Sequence, residues 1–154
     1  MTTTPYYEAT ALIERLHRQF LDVLKLELER AGILDINNVQ SLILHNVGDD
    51  ELTVGELTVR GYYLGSNVSY NVKKMVENDY LIQERSIHDK RSVRVKLSVK
   101  GKKLNAAIGH LYKAQEDQLA AAGITNDRLE QLNQTLRDLE VFWSGQMDTN
   151  NLTV

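Results

Sequence analysis

The side chains best suited to bind a polyanion lie in a short alternating segment near the middle of the chain. Val93, Val95 and Leu97 alternate with two cationic side chains, and a period of two is typical of a half-buried β-strand. We predict that this strand forms one arm of a β-hairpin. The polar side chains of the hairpin include Arg85, Asp89, Lys90, Arg91 and Arg94. A hairpin with such a cationic tip can contact nucleic-acid phosphates, although cations along a sheet edge also serve simply to prevent edge-to-edge pairing.

A second group of polar side chains precedes the hairpin, on a segment with the periodicity of a helix. Val68, Val72 and Met75 recur at three- and four-residue steps, so the opposite face of this helix is polar. The side chains expected on that face are Ser66, Asn67, Ser69, Tyr70, Asn71, Lys73 and Lys74. One helix fits the major groove of B-DNA, where asparagine can pair with adenine and lysine can contact phosphate. The alternative is an ordinary polar helix surface.

Charge is divided unevenly along the chain. Residues 60–103 contain eleven Lys and Arg and four Asp and Glu, a net charge of +7. The remainder contains seven Lys and Arg and seventeen Asp and Glu, a net charge of −10, so the whole chain carries −3. A basic block within an acidic protein favours a polyanionic partner bound on one face, whereas an ordinary solvated surface would scatter both signs.

Apolar residues at three- and four-residue steps predict helices on both sides of the hairpin. The predicted helices cover about residues 6–31, 35–48, 53–59, 66–77, 99–122 and 126–145. Glycine is expected to end several of them, at Gly32, Gly48 and Gly123. The expected N-caps are Asp35, Ser66 or its neighbour, Ser98, and Thr125 or Asn126. The first strand of the hairpin is expected to begin at Tyr80, after a turn at Asn78 and Asp79.

This order of elements predicts a mainly α fold with a small β-hairpin wing. A winged helix-turn-helix, residues 35–98, is flanked by long helices, and residues 1–34 and 99–154 form a helical dimerisation region. The flanking helices are amphipathic, and the middle unit is too small to cover their apolar faces. We therefore expect a homodimer. The alternative is an intramolecular three-helix bundle.

Two groups of residues resemble the MarR family of transcriptional regulators. The first comprises Leu52-Thr53-Val54-Gly55-Glu56-Leu57, Val68-Ser69 and Lys74-Met75-Val76-Glu77. The second comprises Arg85, Asp89, Arg91, Val95, Leu97, Ser98 and Gly101 at the spacing of that family's wing. The pattern departs from the family at Gly61-Tyr62-Tyr63, at Tyr70-Asn71 and at Asp79. Residues 60–71 are similar to an alphaproteobacterial, LdtR-like subgroup associated with cell-wall remodelling.

The resemblance implies roles for residues of the wing and of the helices before it. It implies that Arg91 enters the minor groove and that Asp89 holds Arg91 through a charge-assisted hydrogen bond, although aspartate also favours tight turns in general. Regulators of this family often bind small aromatic or amphipathic effectors. The residues expected by position to line such a site are His17, Phe20, Leu21, Leu42, His45, Asn46 and Tyr63. The alternative for these residues is ordinary core packing.

Other functional classes find little support in the sequence. The chain has no cysteine, no phosphate-binding glycine loop and no nucleophile motif, so we predict neither an enzyme nor a cofactor. The four histidines lie far apart, and only His17, His45 and Glu14 suggest a metal-responsive regulator. No segment predicts a membrane span or a signal peptide, so the cytosol is the expected location. A winged helix that binds protein instead of DNA is the remaining alternative.

Overall fold

A computed structural model describes residues 2–85, 87–88 and 92–151, with the surroundings of side chains described as far as residue 148. Six helices dominate the described chain: α1 (Pro5–Arg30), α2 (Asn38–Val47), α3 (Val54–Gly61), α4 (Gly65–Glu77), α5 (Val99–Ala121) and α6 (Asn126–Asn151). Three strands complete it: β1 (Leu52–Thr53), β2 (Leu81–Arg85) and β3 (Val93–Leu97). The mainly α fold with a β wing is confirmed.

The sheet contains one strand more than the sequence predicted. The strand order is β1-β3-β2, and β3 pairs antiparallel with both neighbours. In β1, Leu52 lies opposite Val95 and Thr53 lies opposite Arg94. A strand of two residues is too short to show a period of two, so only its pairing in the folded chain reveals it. Because α3 starts at the residue after β1, this pairing connects β3 of the hairpin to the helix-turn-helix.

Two of the predicted helix starts are wrong. The N-cap of α2 is Asn37, whose side chain accepts from the Gln40 N–H while the Gln40 side chain accepts from the Asn37 N–H. Asp35, the predicted cap, instead contacts residues far away in the sequence. Helix α4 begins after Leu64 without a side-chain cap, so Ser66 does not cap it.

The remaining termini follow the sequence more closely. Ser98 accepts a hydrogen bond from the Gly101 N–H at 3.0 Å, and Thr125 accepts from the Arg128 N–H at 3.3 Å, as expected of N-caps. Gly32 takes a φ of 73° after α1, which suits a helix-ending glycine. Helix α6 continues beyond its predicted end at Gly145 and reaches Asn151.

The chain forms two compact units, residues 1–110 and 111–154. In the first unit, five apolar side chains with no exposed surface come from α2, α3, α4 and β3: Leu44, Val47, Leu57, Val68 and Val95. This shared core fixes α4 and β3 in one body. The second unit contains the end of α5 and the whole of α6, and every side chain described there is at least partly exposed.

Candidate nucleic-acid interface

Helix α4 presents a polar face to solvent and an apolar face to the core. Val68, Val72 and Met75 are buried, as their spacing predicted. The predicted DNA-facing side chains that are exposed are Ser66, Asn67, Ser69, Tyr70 and Lys73, whereas Asn71 and Lys74 are half-buried. The helix therefore has a continuous polar surface of the length and polarity that a major groove accepts.

The turn before α4 is held by an aromatic side chain. Tyr63 accepts a hydrogen bond of 2.7 Å from the Asn46 side chain, and its ring lies against Gly61, where a Cβ would approach a ring carbon to 1.9 Å. Tyr62 takes a φ of 54°, a left-handed conformation that costs a non-glycine residue about 1–2 kcal/mol. Gly61-Tyr62-Tyr63, which departs from the family pattern, therefore forms a turn that leaves Tyr62 exposed next to the start of α4.

The half-buried Asn71 side chain faces the protein. Its Oδ1 accepts from Gln40 Nε2 at 3.1 Å, and its Nδ2 donates to the carbonyl of Asn67 at 2.9 Å. Gln40 is itself buried, with 8% of its surface exposed. The sequence predicted that Asn67 and Asn71 would share the polar face of α4. No local pattern indicated that Asn71 would form a hydrogen bond with a residue of α2.

The wing extends the charged surface beyond α4. Arg85 ends β2 opposite Val93, and Arg94 lies opposite Glu84 on β3. Both arginine side chains are exposed. The predicted tip residues Asp89, Lys90 and Arg91 lie outside the described residues. Arg85 and Arg94 therefore lie at the end of the two wing strands that is next to the loop.

Several cations of the basic block are neutralised by acidic neighbours. Ion pairs join Arg60 to Asp50 at 2.8 Å, Lys74 to Glu77 at 3.6 Å and Lys100 to Asp35 at 2.7 Å. Within the part of the chain that the structure describes, the exposed cations of this block that form no ion pair are Lys73, Arg85, Arg94, Lys102 and Lys103. The charge available to a polyanion therefore lies on α4, the wing and the start of α5.

Lys96 is the most heavily compensated of these cations. Its Nζ lies 3.0 Å from Glu84 and 3.5 Å from Glu51, on either side of β3. The hydrogen bond to Glu84 is the main reason why the pKa of Lys96 is raised. Two carboxylates around one ammonium leave this site without surplus positive charge, so Lys96 contributes less to phosphate binding than the alternation of β3 suggested.

A polar cluster, here called the Asp35 junction, joins the α1–α2 loop to the ends of α4 and α5. It comprises Asp35, Asn78, Tyr80 and Lys100. The Tyr80 hydroxyl and the Lys100 ammonium both donate to the Asp35 carboxylate, and Lys100 also donates to the Asn78 carbonyl at 2.9 Å. The Lys100 Nζ lies 4.2 Å from the centre of the Tyr80 ring. The junction thus cross-links the α1–α2 loop, the turn after α4 and the start of α5.

Protonation of the Asp35 junction should weaken the fold at acidic pH. The hydrogen bond from Lys100, followed by that from Tyr80, lowers the pKa of Asp35 below its ordinary value of 3.8. A carboxyl with a lowered folded-state pKa contributes stability above its unfolded pKa and loses it as the pH falls through the folded value. We therefore expect Asp35→Asn to reduce the free energy of unfolding near neutral pH, by up to about 1 kcal/mol because the pair is half-exposed.

Urea denaturation between pH 2.5 and 7 would measure this effect. The difference between the wild type and Asp35→Asn should shrink as the pH falls below about 4. Lys100→Met should flatten the same pH dependence, because it removes the main donor to the carboxylate. Parallel pH profiles for the wild type and Asp35→Asn would contradict this prediction.

Only some of the residues predicted to line an effector site contact one another in the fold. Asn46 bonds to Tyr63, whereas the Nδ1 of His45 lies 2.7 Å from Oδ1 of Asn105 on α5. Of the other predicted residues, His17 is exposed on α1, and Phe20, Leu21 and Leu42 are half-buried. A shallow depression of about 430 Å³ lies beside α1, but its lining contains none of the predicted residues: Asp22, Lys25, Leu28, Glu29, Ile33, Leu34, Ile36, Asn37 and Asn38.

Within residues 2–85, 87–88 and 92–151, no three His, Asp or Glu side chains are grouped closely enough to hold a metal ion, including His17, His45 and Glu14. No helix in those ranges has both the length and the apolar composition to cross a membrane.

Known proteins share both sequence and fold with this chain. A family model described as "MarR family" matches residues 34–92, which run from the α1–α2 loop to the wing. The exopolysaccharide II synthesis transcriptional activator ExpG of Rhizobium meliloti (strain 1021) is 40% identical over 138 residues. That match covers 90% of this chain and 71% of the relative.

Solved structures extend the similarity to nearly the whole chain. Streptococcus pneumoniae FabT in complex with DNA superposes with a TM-score of 0.74 at 16% identity, covering 92% of this chain and 99% of that one. Staphylococcus aureus MarR in complex with salicylate and kanamycin gives a TM-score of 0.71 at 22% identity, covering 90% and 91%. At these identities the likeness shows the fold.

Proposed function

The chain belongs to the MarR family of transcriptional regulators, and we propose that it acts as a homodimer on pseudo-palindromic operator DNA. It is a DNA-binding regulator of transcription and not an enzyme. The observation that carries the finer proposal is the exposed polar face of α4, which lies in one packed body with the wing strands that carry Arg85 and Arg94. A groove-reading helix next to a cationic hairpin is the arrangement that operator recognition requires.

The proposed contacts divide into those that select sequence and those that supply affinity. We assign base edges to the exposed side chains at the start of α4, namely Ser66, Asn67, Ser69 and Tyr70. Lys73 and Lys74 on α4 and the wing residues Arg85, Lys90 and Arg94 are assigned to phosphates, and Arg91, supported by Asp89, to the minor groove. The ion pair of Lys74 with Glu77 predicts that it contributes less than Lys73.

Dimerisation is supported by apolar side chains that the described chain leaves exposed. On α6 these include Leu132 (51% exposed), Leu136 (38%) and Phe142 (54%), and on α1 they include Tyr7 (62%) and Leu16 (53%). Apolar surface of this kind is normally covered by a partner. We propose that residues 1–34 and 99–154 form the dimer region and that residues 35–98 bind DNA.

We further propose that a small amphipathic ligand regulates DNA binding from the predicted effector residues on α1, α2 and the turn at Tyr63. The complex of S. aureus MarR with salicylate supports this idea by analogy. A ligand that binds the DNA-incompetent state more tightly would lower operator affinity by population shift. A titration with salicylate should therefore raise the dissociation constant for operator DNA, and an unchanged constant across the series would exclude this ligand.

Selection of binding sites from genomic DNA with the purified protein tests the proposed function. We expect inverted repeats with half-sites about one helical turn apart. Binding to a selected duplex should weaken steeply as salt increases, because phosphate contacts release counterions. Failure to enrich any sequence, together with binding that is insensitive to salt, would favour the alternative of a protein-interaction module.

Removal of the wing-tip guanidinium should weaken operator binding. We expect Arg91→Ala to reduce operator affinity by about tenfold or more without affecting the fold, because the proposed contact of the Arg91 guanidinium with the minor groove is lost. Fluorescence polarisation at fixed salt would measure the change. Arg91→Lys is the matched control, since it keeps the charge but not the planar guanidinium. Equal affinities for the wild type and Arg91→Ala would refute the role of the wing.

A further inference from the structure

We propose that the hydrogen bond between Gln40 and Asn71 sets the orientation of the recognition helix, which makes both of them positioning residues for operator selection. This inference rests on the proposed function, since it concerns how α4 is presented to DNA. It changes the role assigned to Asn71 from the sequence, where Asn71 shares the polar face with Asn67 and would read a base. Base reading is then left to the exposed side chains around Asn71.

The orientation of both amide groups follows from a single backbone donor. The Asn37 N–H donates to Gln40 Oε1 at 3.2 Å, so Oε1 faces the start of α2 and Nε2 faces α4. The Nε2 group can only donate, and it meets Asn71 Oδ1 at 3.1 Å. The Nδ2 group of Asn71 is thereby turned toward the carbonyl of Asn67. In Gln40 and Asn71, each amide oxygen thus accepts a hydrogen bond and each amide nitrogen donates one.

These contacts leave Asn71 poorly placed to read a base. A bidentate pair with adenine needs both the oxygen and the nitrogen of an asparagine amide. In Asn71 both atoms already have protein partners, and the side chain is half-buried. The adjacent Asn67 side chain is exposed and remains suited to base contact. The geometry therefore assigns the two asparagines different tasks although they occupy equivalent positions on successive turns.

The same turn of α2 is also attached to α1. Asn38 Nδ2 donates to the carbonyl of Leu21 at 2.9 Å, and Asn38 directly follows the Asn37 cap. Gln40, at 8% exposure, lies in the same first turn, two residues after Asn38. The first turn of α2 consequently connects α1 on one side with α4 on the other, so a tilt of this turn would change the angle at which α4 meets the groove.

A double-mutant cycle tests the proposal on the full-length protein. Gln40→Met and Asn71→Leu each remove the bridge with little change in volume, and Asn37→Ala is the control that weakens the cap of α2 but keeps the bridge. Operator and scrambled duplexes are titrated over a salt series. We expect each bridge variant to lose about three- to tenfold in operator affinity, with unchanged salt slope and unchanged affinity for the scrambled duplex.

The combination of variants separates positioning from base reading. The double variant should lose no more than the weaker-binding single variant, and Asn37→Ala should leave operator preference intact. Additive losses, or a loss in Asn71→Leu confined to one operator base pair and absent in Gln40→Met, would overturn the inference. Gln40→Glu, which keeps the acceptor for Asn37 and removes the donor to Asn71, replaces Gln40→Met if that variant does not fold.

Failure of this inference can be distinguished from failure of the proposed function. A wild-type protein with clear operator preference but no coupling between positions 40 and 71 would contradict only the bridge. A wild-type protein with no operator preference at any salt concentration would contradict the proposed function and the bridge together.

Discussion

Replacement of Gly101 by alanine is expected to lower the free energy of unfolding by about 2–3 kcal/mol, a cost typical of overpacking in a well-packed region. A Cβ at Gly101 would lie 2.2 Å from the carbonyl oxygen of Tyr80 and 3.4 Å from the Cβ of Leu97. The first of these atoms is backbone and cannot rotate away. It also accepts from the Ser98 hydroxyl and the Ser98 N–H, so any shift would disturb the start of α5.

A glycine eight residues further along the same helix provides the matched control. A Cβ at Gly109 would meet no atom within 4 Å, and the residue is exposed. There Gly→Ala should stabilise the helix by up to about 1 kcal/mol, because alanine has the higher helix propensity. Urea denaturation of both variants at one protein concentration would measure the two effects. Shifts of the same sign would contradict the close approach between α5 and Tyr80.

Introduction of a charge on the apolar face of α6 is expected to reduce operator affinity by about a hundredfold or more. Leu136 is 38% exposed and Leu132, one turn before it, is 51% exposed. If this face forms the proposed dimer contact, Leu136→Asp places an unpaired carboxylate in an apolar interface, which typically costs several kcal/mol. A monomer would engage a single half-site and lose the second set of base and phosphate contacts.

Analytical ultracentrifugation and operator titration of the same sample would test this prediction. We expect Leu136→Asp to sediment as a monomer with weakened operator binding. Gln134→Glu adds the same charge about half a helical turn away and should leave both properties unchanged. A dimeric Leu136→Asp protein with wild-type affinity would exclude this face of α6 as the interface. A monomer with wild-type affinity would contradict the dimeric mode of binding.

Local sequence patterns predicted the elements that carry the proposed interface. The spacing of Val68, Val72 and Met75 identified the buried face of α4, and the alternation around Val95 identified β3. Both predictions succeeded because periodicity depends only on which side of an element faces the core. The same patterns also carried the family resemblance, which the similarity to known regulators confirms.

These local patterns could not predict contacts between residues that are far apart in the sequence. Asp35 and Asn37 are both acceptable N-caps by residue type, and the choice between them depends on Tyr80 and Lys100, which are 45 and 65 positions away from Asp35. A capping box formed by Asn37 and Gln40 was visible in the sequence, but the competing aspartate obscured it. β1 was missed for a related reason, since its only sign is a pairing with β3 about forty residues later.

Residue periodicity and charge in the sequence were enough to predict a basic wing and a polar helix within an acidic, mainly helical protein. Which polar groups face one another became clear only in the folded chain. Folding turns Asn71 toward Gln40, places two carboxylates around Lys96 and brings Gly101 against the Tyr80 carbonyl. Burial follows from local periodicity, whereas hydrogen bonds and ion pairs depend on distances between residues that are far apart in the sequence.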